Sequence, residues 1–341
     1  MNYRQLIAES WVYTQKHNNL IFWLGFIPAL FTTTVAIFYM AYQFFAFKGF
    51  FENDPDSFFH DVVSFLWASI QEHISWSVPL IILAVIFGIC YFFLPILAKA
   101  AAIQTIARNR NGQKAGVGTG LRHGIVSFLP LLEYGMIVGT FSIFSVFVEM
   151  SFVVRNLGPS MFTLLVPFFV LMSIVSLFAA LFLVFASFYI VIDGNGVFES
   201  MKNSVKLVIL NWKHAFLIGV IMLIIGARIV LQAVIVFLIP TIIVLVTGYI
   251  ATITLPITGI IIGGVIGLIG LILAAYLNGV VDIFAYSVWT FAFLQLTSEE
   301  EIDARKKIES LEKQEEKIEE EIEKELEDIP DMEKFEGHKN L

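Results

Sequence analysis

Three ionisable residues lie inside long apolar stretches of this sequence, and they are the first candidates for chemistry. Glu133, Arg228 and Asp282 each interrupt a run that is otherwise apolar. A charge within a bilayer costs a few kcal/mol, so such residues usually face a partner or a hydrated cavity. At about 1.5 Å of rise per residue, Arg228 and Asp282 reach a similar depth of roughly 20 Å and Glu133 about 12 Å. We therefore expect the three charges to approach one another.

Gln232 and Asn278 lie one helical turn from Arg228 and Asp282 and complete a predicted intramembrane polar cluster. Two interpretations of this cluster remain open. An Arg228–Asp282 ion pair would fix the helix register, and removing one partner would then be worse than removing both. Alternatively, the cluster would bind a solute, a proton or a lipid headgroup.

No catalytic motif accompanies the polar cluster. The sequence contains no G-x-S-x-G, H-E-x-x-H, P-loop or Rossmann pattern. Its one cysteine, Cys90, excludes an intramolecular disulfide and a cysteine metal cluster. Asp56 and His60 could share a metal, but their loop lacks a recognised ligand spacing and is better interpreted as an acidic solvated loop. We expect no enzymatic activity, no cofactor, no metal and no nucleic-acid partner.

The composition identifies the class of protein that positions these charges. Hydrophobic residues make up 58% of the 341 residues and charged residues 15%, with a mean hydropathy of +0.82. A soluble domain is about 25% charged, and a helix needs about 20 apolar residues to cross a bilayer. The sequence therefore predicts an all-α polytopic membrane helix bundle. Its six spans lie near 20–47, 76–98, 125–148, 161–192, 215–250 and 259–296.

The stretch 215–258 has an alternative interpretation as two crossings that turn at Pro240. The predicted organisation is a lead-in segment at 1–19, a transmembrane domain at 20–296 and a tail at 297–341. The first loop contains a predicted interfacial helix over Asp56–Ile74, with Trp67 and Trp76 as anchors.

Lysine and arginine predict the orientation. Ten of these residues flank one side of the predicted spans, against Lys48 and Arg155 on the other. By the positive-inside rule, both termini are cytoplasmic, in a multi-pass protein of the cell membrane. The second loop is basic and free of acids, which fits either plain topology or contacts to anionic lipid headgroups. The predicted lipid contacts are Lys99, Arg108, Arg110, Lys114 and Arg122.

Short amphipathic segments precede the odd-numbered spans. The clear ones are Tyr3–Lys16 and Gly196–Leu210, and Gly120–His123 is a looser third copy. Periodicity alone does not separate a helix lying on lipid from one packed on the bundle, so both interpretations stay open. The three copies indicate a parallel repeat of three helical hairpins, with chance similarity as the alternative.

The glycine row Gly259, Gly263 and Gly267 permits close helix approach, either within the chain or in a homodimer. The tail 297–341 holds 18 acids and 8 bases. Its apolar heptad positions predict a helix, but Glu315 and Glu325 occupy two seam positions and weaken any coiled coil. The tail is therefore either a solvated helix or a helix for self-association or partner binding.

The stretch Val191–Ser204, followed by Asn211-Trp212 and an apolar run, resembles a pattern in poorly characterised bacterial six-helix membrane proteins. These include the membrane domain associated with glycerophosphodiester phosphodiesterases. The resemblance implies fold and membrane location only, because the chain has no room for the phosphodiesterase domain. We expect a non-enzymatic membrane protein that binds lipid or protein partners in envelope organisation or membrane homeostasis. A small-solute or lipid transporter with an intramembrane polar site is the alternative.

Overall fold

The computed structural model describes residues 2–51, 57–227 and 264–298. All regular secondary structure in these ranges is helical, with no strand, which confirms the all-α helix bundle. Two segments, Ile21–Phe26 and Tyr189–Asp193, are π-helical. The helices are α1 (Tyr3–Lys16), α2 (Asn18–Leu20), α3 (Ile27–Phe51), α4 (Ser57–Glu72), α5 (Ile74–Arg110), α6 (Val117–Val126), α7 (Phe128–Thr140), α8 (Ile143–Phe182), α9 (Ala186–Phe188), α10 (Val197–Leu210), α11 (Trp212–Ala227) and α12 (Gly264–Ser298).

Several described helices are long and apolar enough to cross a membrane. Four meet this condition by themselves, and the number rises to six if each of two bent helix pairs counts as one span. The pair α6 and α7 bends by 70°, and the pair α10 and α11 bends by 97°. The protein is thus a polytopic membrane protein. The four are Asn18–Tyr39, Ile74–Arg110, Leu157–Phe182 and Gly264–Ser298.

Two predicted spans end earlier than expected. The span predicted at 125–148 breaks after Thr140, and α8 restarts where Ser142 Oγ accepts a hydrogen bond of 3.1 Å from the Ser145 amide. The stretch between the spans predicted at 125–148 and 161–192 is helical apart from a kink at Gly158, whose φ is +83°. The proline that follows disfavours helical backbone there, and glycine tolerates the positive φ.

The span predicted at 161–192 ends at Phe182. A turn, α9 and the second π-helical segment replace its last part. Ser204 of α10 holds this break: its hydroxyl donates to the Phe182 carbonyl at 2.7 Å and accepts from the Phe185 amide at 3.1 Å. An apolar run cannot reveal such a break, because the side chain that stabilises it comes from another helix.

Helix α5 has two halves with different surroundings. Residues 80–86 are exposed apolar side chains, whereas Ala100, Ala101 and Ala102 are completely buried. The buried half packs against α6, where a Cβ on Gly120 would lie 2.7 Å from the Ala101 carbonyl oxygen. A Cβ on Gly124 would lie 2.8 Å from the Ala101 nitrogen. Only small residues permit this approach, so α5 and α6 pack closely through their backbones.

The lead-in helices pack on protein through their buried faces. α1 buries Leu6, Ser10 and Thr14, and α10 buries Ser200, Ser204 and three apolar neighbours. This favours packing on the bundle over the interpretation that these faces lie on lipid. Each of α1, α6 and α10 ends at a one-residue break before a further helix begins, as expected for three lead-in segments.

Helices α12 and the first π-helical segment cross where two glycines meet. A Cβ on Gly279 would lie 2.6 Å from the carbonyl carbon of Gly25. In the predicted row, by contrast, a Cβ on Gly267 would meet none of the described residues within 4 Å, and Gly259 and Gly263 lie outside those residues. The chain forms two compact units, Met1–Phe293 and Leu294–Leu341, and the structure describes 294–298 of the second.

Candidate functional site

The described residues supply only part of the predicted polar cluster. Asn278 Nδ2 donates a hydrogen bond of 3.0 Å to Thr33 Oγ1, which joins α12 to α3. Glu133 and Asp282 are exposed on α7 and α12, and no hydrogen bond or ion pair connects them within the described ranges. Arg228 and Gln232 lie outside those ranges, so the Arg228–Asp282 pair stays a prediction.

Asp282 lies close to the level of the amphipathic helix α1. The ring of Phe284 meets that of Trp11 edge-on at 5.6 Å, and Phe291 meets Tyr13 at 5.8 Å. Asp282 precedes Phe284 by two residues, or about 3 Å of helical rise. These contacts show that α12 packs against α1 beside Asp282.

The five predicted lipid contacts fall into different environments. Lys114 and Arg122 are exposed, and Arg108 donates hydrogen bonds to Gln104 Oε1 at 3.3 Å and Gln113 Oε1 at 3.4 Å. Lys99 is half-buried, with its ammonium 6.0 Å from the centre of the Tyr134 ring. Of these four, Lys114 and Arg122 are best placed to meet an external anion.

A groove of about 550 Å³ opens between the end of α1 and the start of α6; we call it the joint groove. Lys16 and His17 stand on its first wall, and Lys114 is exposed next to the second. No acidic residue is among the described residues that line it. Its lining is Lys16, His17, Asn18, Asn19, Leu20, Trp23, Ala115, Gly116, Val117, Gly118 and Leu121.

Backbone amides add to the positive character of the joint groove. Helix α6 begins after Gly116, and no side chain caps its first amides. A Cβ on Gly116 or Gly118 would meet nothing within 4 Å in the part of the chain that the structure describes, where this wall is open. The loop before it is held by Asn109, whose Oδ1 accepts a 2.9 Å hydrogen bond from the Ala115 amide. The first amides of a helix carry partial positive charge, which complements the lysines.

A second groove, of about 470 Å³, lies between α1 and the end of α5; we call it the Arg110 groove. Arg110 Nη2 lies 2.8 Å from Glu9 Oε2, and the guanidinium carbon lies 4.6 Å from the centre of the Phe291 ring. The side chains of Arg110 and Glu9 are 46% and 33% exposed, so solvent reaches the pair. The lining is Ala8, Glu9, Val12, Tyr13, Lys16, His17, Asn109, Arg110 and Phe291.

Two further interactions shape the Arg110 groove. Asn109 Nδ2 donates a 2.9 Å hydrogen bond to the Tyr13 hydroxyl, and the Tyr13 ring stacks on His17 with centroids 4.0 Å apart. Burial raises the pKa of Tyr13 above its ordinary value. The pKa of Glu9 is lowered, chiefly by the hydrogen bond that Gln5 donates and further by Arg110. Glu9 is therefore a carboxylate at neutral pH.

Sequence reasoning identified the basic residues but not their partners. Glu9, Tyr13 and Asn109 were not singled out, because their partners lie far away in the chain. Gly120 was placed in the third amphipathic segment, but its spacing from Gly124, which is a helix-packing signal, was not used. Within the described ranges, no group of three or more His, Cys, Asp and Glu side chains is arranged to hold a metal. Comparisons with protein-family models, curated proteins and solved structures find no match for this chain.

Proposed function

We propose that this chain is a non-enzymatic protein of the cell membrane, with cytoplasmic termini, that binds anionic phospholipid headgroups in the joint groove. Its wider role would be membrane homeostasis or envelope organisation. The observation that carries the proposal is the charge of this groove: Lys16 lines it, the exposed Lys114 directly precedes its lining residue Ala115, and no carboxylate is among the described lining residues.

The size and walls of the joint groove support a lipid ligand. Its volume of about 550 Å³ falls within the usual range for small-molecule sites. Leu20 and Trp23 lie on the wall that continues into the first span, and Trp23 is half exposed. Tryptophan is enriched at the headgroup level of membranes. A lipid phosphate near Lys16 would thus have apolar surface beside it for the acyl chains.

The test is a native mass-spectrometry titration of the full chain with phosphatidylglycerol and phosphatidylcholine. Each lysine near a membrane surface contributes about 1 kcal/mol toward anionic lipid. The double variant Lys16→Gln/Lys114→Gln should therefore weaken phosphatidylglycerol binding by roughly 30-fold and leave phosphatidylcholine unchanged. The matched control is Lys202→Gln/Lys213→Gln, which removes two exposed lysines outside the groove. An equal loss in both variants would show a general charge effect and refute the proposal.

The transporter alternative is favoured by the exposure of Asp282 on α12, one turn from Asn278. An exposed carboxylate in a membrane helix requires water or a cation beside it. In proteoliposomes, a lipid transporter would move fluorescent phosphatidylglycerol between leaflets, and Asp282→Asn would abolish that movement. If the wild-type protein does not move phosphatidylglycerol between leaflets, the hypothesis of lipid transport is refuted. Partner binding through the tail stays a prediction, because residues 299–341 lie outside the described ranges.

A further inference from the structure

The Arg110 groove has an excess of positive charge over negative charge. Arg110, Lys16 and His17 line it, and Glu9 is the single carboxylate among its described lining residues. Arg110 and Lys16 are both exposed to solvent. The groove therefore already accommodates one anionic group, which belongs to the chain itself.

The guanidinium of Arg110 is positioned by two contacts that leave some of its N–H donors available to an anion. Phe291 lies 4.6 Å beneath it, and Glu9 contacts it through one oxygen, at 2.8 Å from Nη2. A guanidinium presents five N–H donors in a planar fork that matches carboxylate and phosphate oxygens. A phosphate presents more acceptor oxygens and more charge than the single oxygen of Glu9, so it would compete for the same donors.

We propose that the Arg110 groove is a phosphate-binding site in which Glu9 occupies the guanidinium as an internal competitor. The phosphate is either that of a lipid headgroup or inorganic phosphate from solution. Binding would release Glu9 and with it one of the contacts between α1 and α5. The lipid form of this inference rests on the proposed lipid-binding function, whereas the solution form does not.

The competition is weak enough to be reversed by a ligand. Exposed ion pairs contribute about 0.2–1 kcal/mol, and both partners here are partly exposed. Removing Glu9 should therefore raise phosphate affinity by about 1.4- to 5-fold. The other interactions of α1 would keep it in place, including the hydrogen bond between the Tyr3 hydroxyl and His214 Nδ1.

The test measures inorganic phosphate binding by titration calorimetry and phosphatidylglycerol binding by native mass spectrometry on the full chain. Glu9→Gln should raise affinity by about 1.4- to 5-fold, whereas Glu199→Gln, which removes an exposed carboxylate on α10, should not. Glu9→Asp keeps the charge but withdraws the carboxylate by about 1.5 Å. A rise with Glu9→Asp supports competition for the guanidinium, and no rise contradicts it.

The second arm compares two arginines on the same helix. Arg110→Gln should lower phosphate affinity at least five-fold, and Arg108→Gln, which removes the same charge two residues away, should change it less than two-fold. Equal losses would overturn the site. A response to inorganic phosphate but not to phosphatidylglycerol would assign a solution ligand and would not depend on the joint groove. No response of the Glu9 variants to either probe would overturn the inference, even if the Lys16→Gln/Lys114→Gln variant loses lipid as proposed.

Discussion

The contact between Gly279 and Gly25 predicts a large effect from the smallest possible substitution. In Gly279→Ala, the new Cβ would lie 2.6 Å from the carbonyl carbon of Gly25 and 2.8 Å from the Cα of Phe26. Both atoms belong to the backbone, so no side-chain rotation relieves the overlap. The two helices must move apart, and overpacking of this kind costs about 1–3 kcal/mol.

The separation should also lengthen the adjacent hydrogen bond between Asn278 and Thr33. Hydrogen bonds between membrane helices contribute about 0.6 kcal/mol on average. We therefore expect Gly279→Ala to lower the free energy of unfolding by about 1.5–3.5 kcal/mol in total. The measurement is reversible unfolding of the purified protein in mixed micelles, followed by circular dichroism.

The same helix supplies the control. A Cβ on Gly267 would meet no described atom within 4 Å, and alanine is a better helix former than glycine by about 1 kcal/mol. Gly267→Ala should therefore leave the stability unchanged or raise it by up to about 1 kcal/mol. If Gly279→Ala is as stable as Gly267→Ala, the close crossing of α12 and the first span is refuted.

Two further predictions concern the packed helices. Ser204→Ala leaves the Phe182 carbonyl and the Phe185 amide without their hydroxyl partner and should lower the free energy of unfolding by about 1–3 kcal/mol. Ser151→Ala, whose hydroxyl bonds within its own helix, should lower it by less than about 0.5 kcal/mol. Equal losses in thermal unfolding would contradict the role of Ser204. The pKa of folded Glu9 lies below the usual value near 4.5, so its stabilising contribution is complete above that pH and is lost as the pH falls through the lower folded value. Because the pair is partly exposed, the loss should stay below about 1 kcal/mol, and in Glu9→Gln the slope of stability against pH should flatten in acid.

The sequence was informative wherever a structural signal is local. The start of α5 at Ile74 lies next to the predicted boundary at 76, and α4 forms within the predicted helix 56–74. The breaks after Thr140 and Phe182 were missed because the residues on both sides are equally apolar. The break at Phe182 depends on Ser204, which a composition window cannot connect to it.

The candidate sites show the same division. Lys16, Arg110 and Lys114 were predictable from charge, because basic residues near span ends are a strong topological signal. The Glu9–Arg110 pair was not, since nothing in either segment specifies which distant residue it meets. Gly279 was likewise not singled out, although it makes a close contact, whereas the packing of the row Gly259, Gly263 and Gly267 stays a prediction because two of its members lie outside the described residues.

The two halves of α5 imply different histories of substitution. The exposed half requires only apolar side chains, so leucine, isoleucine, valine and phenylalanine can replace one another there with little effect on stability. Ala101 is completely buried, and its backbone leaves no room for a side chain on Gly120 or Gly124. Drift should therefore erase the apolar half quickly and the alanine–glycine interface slowly. Distant relatives of this chain should be sought by that interface, because long apolar runs are common to unrelated membrane proteins.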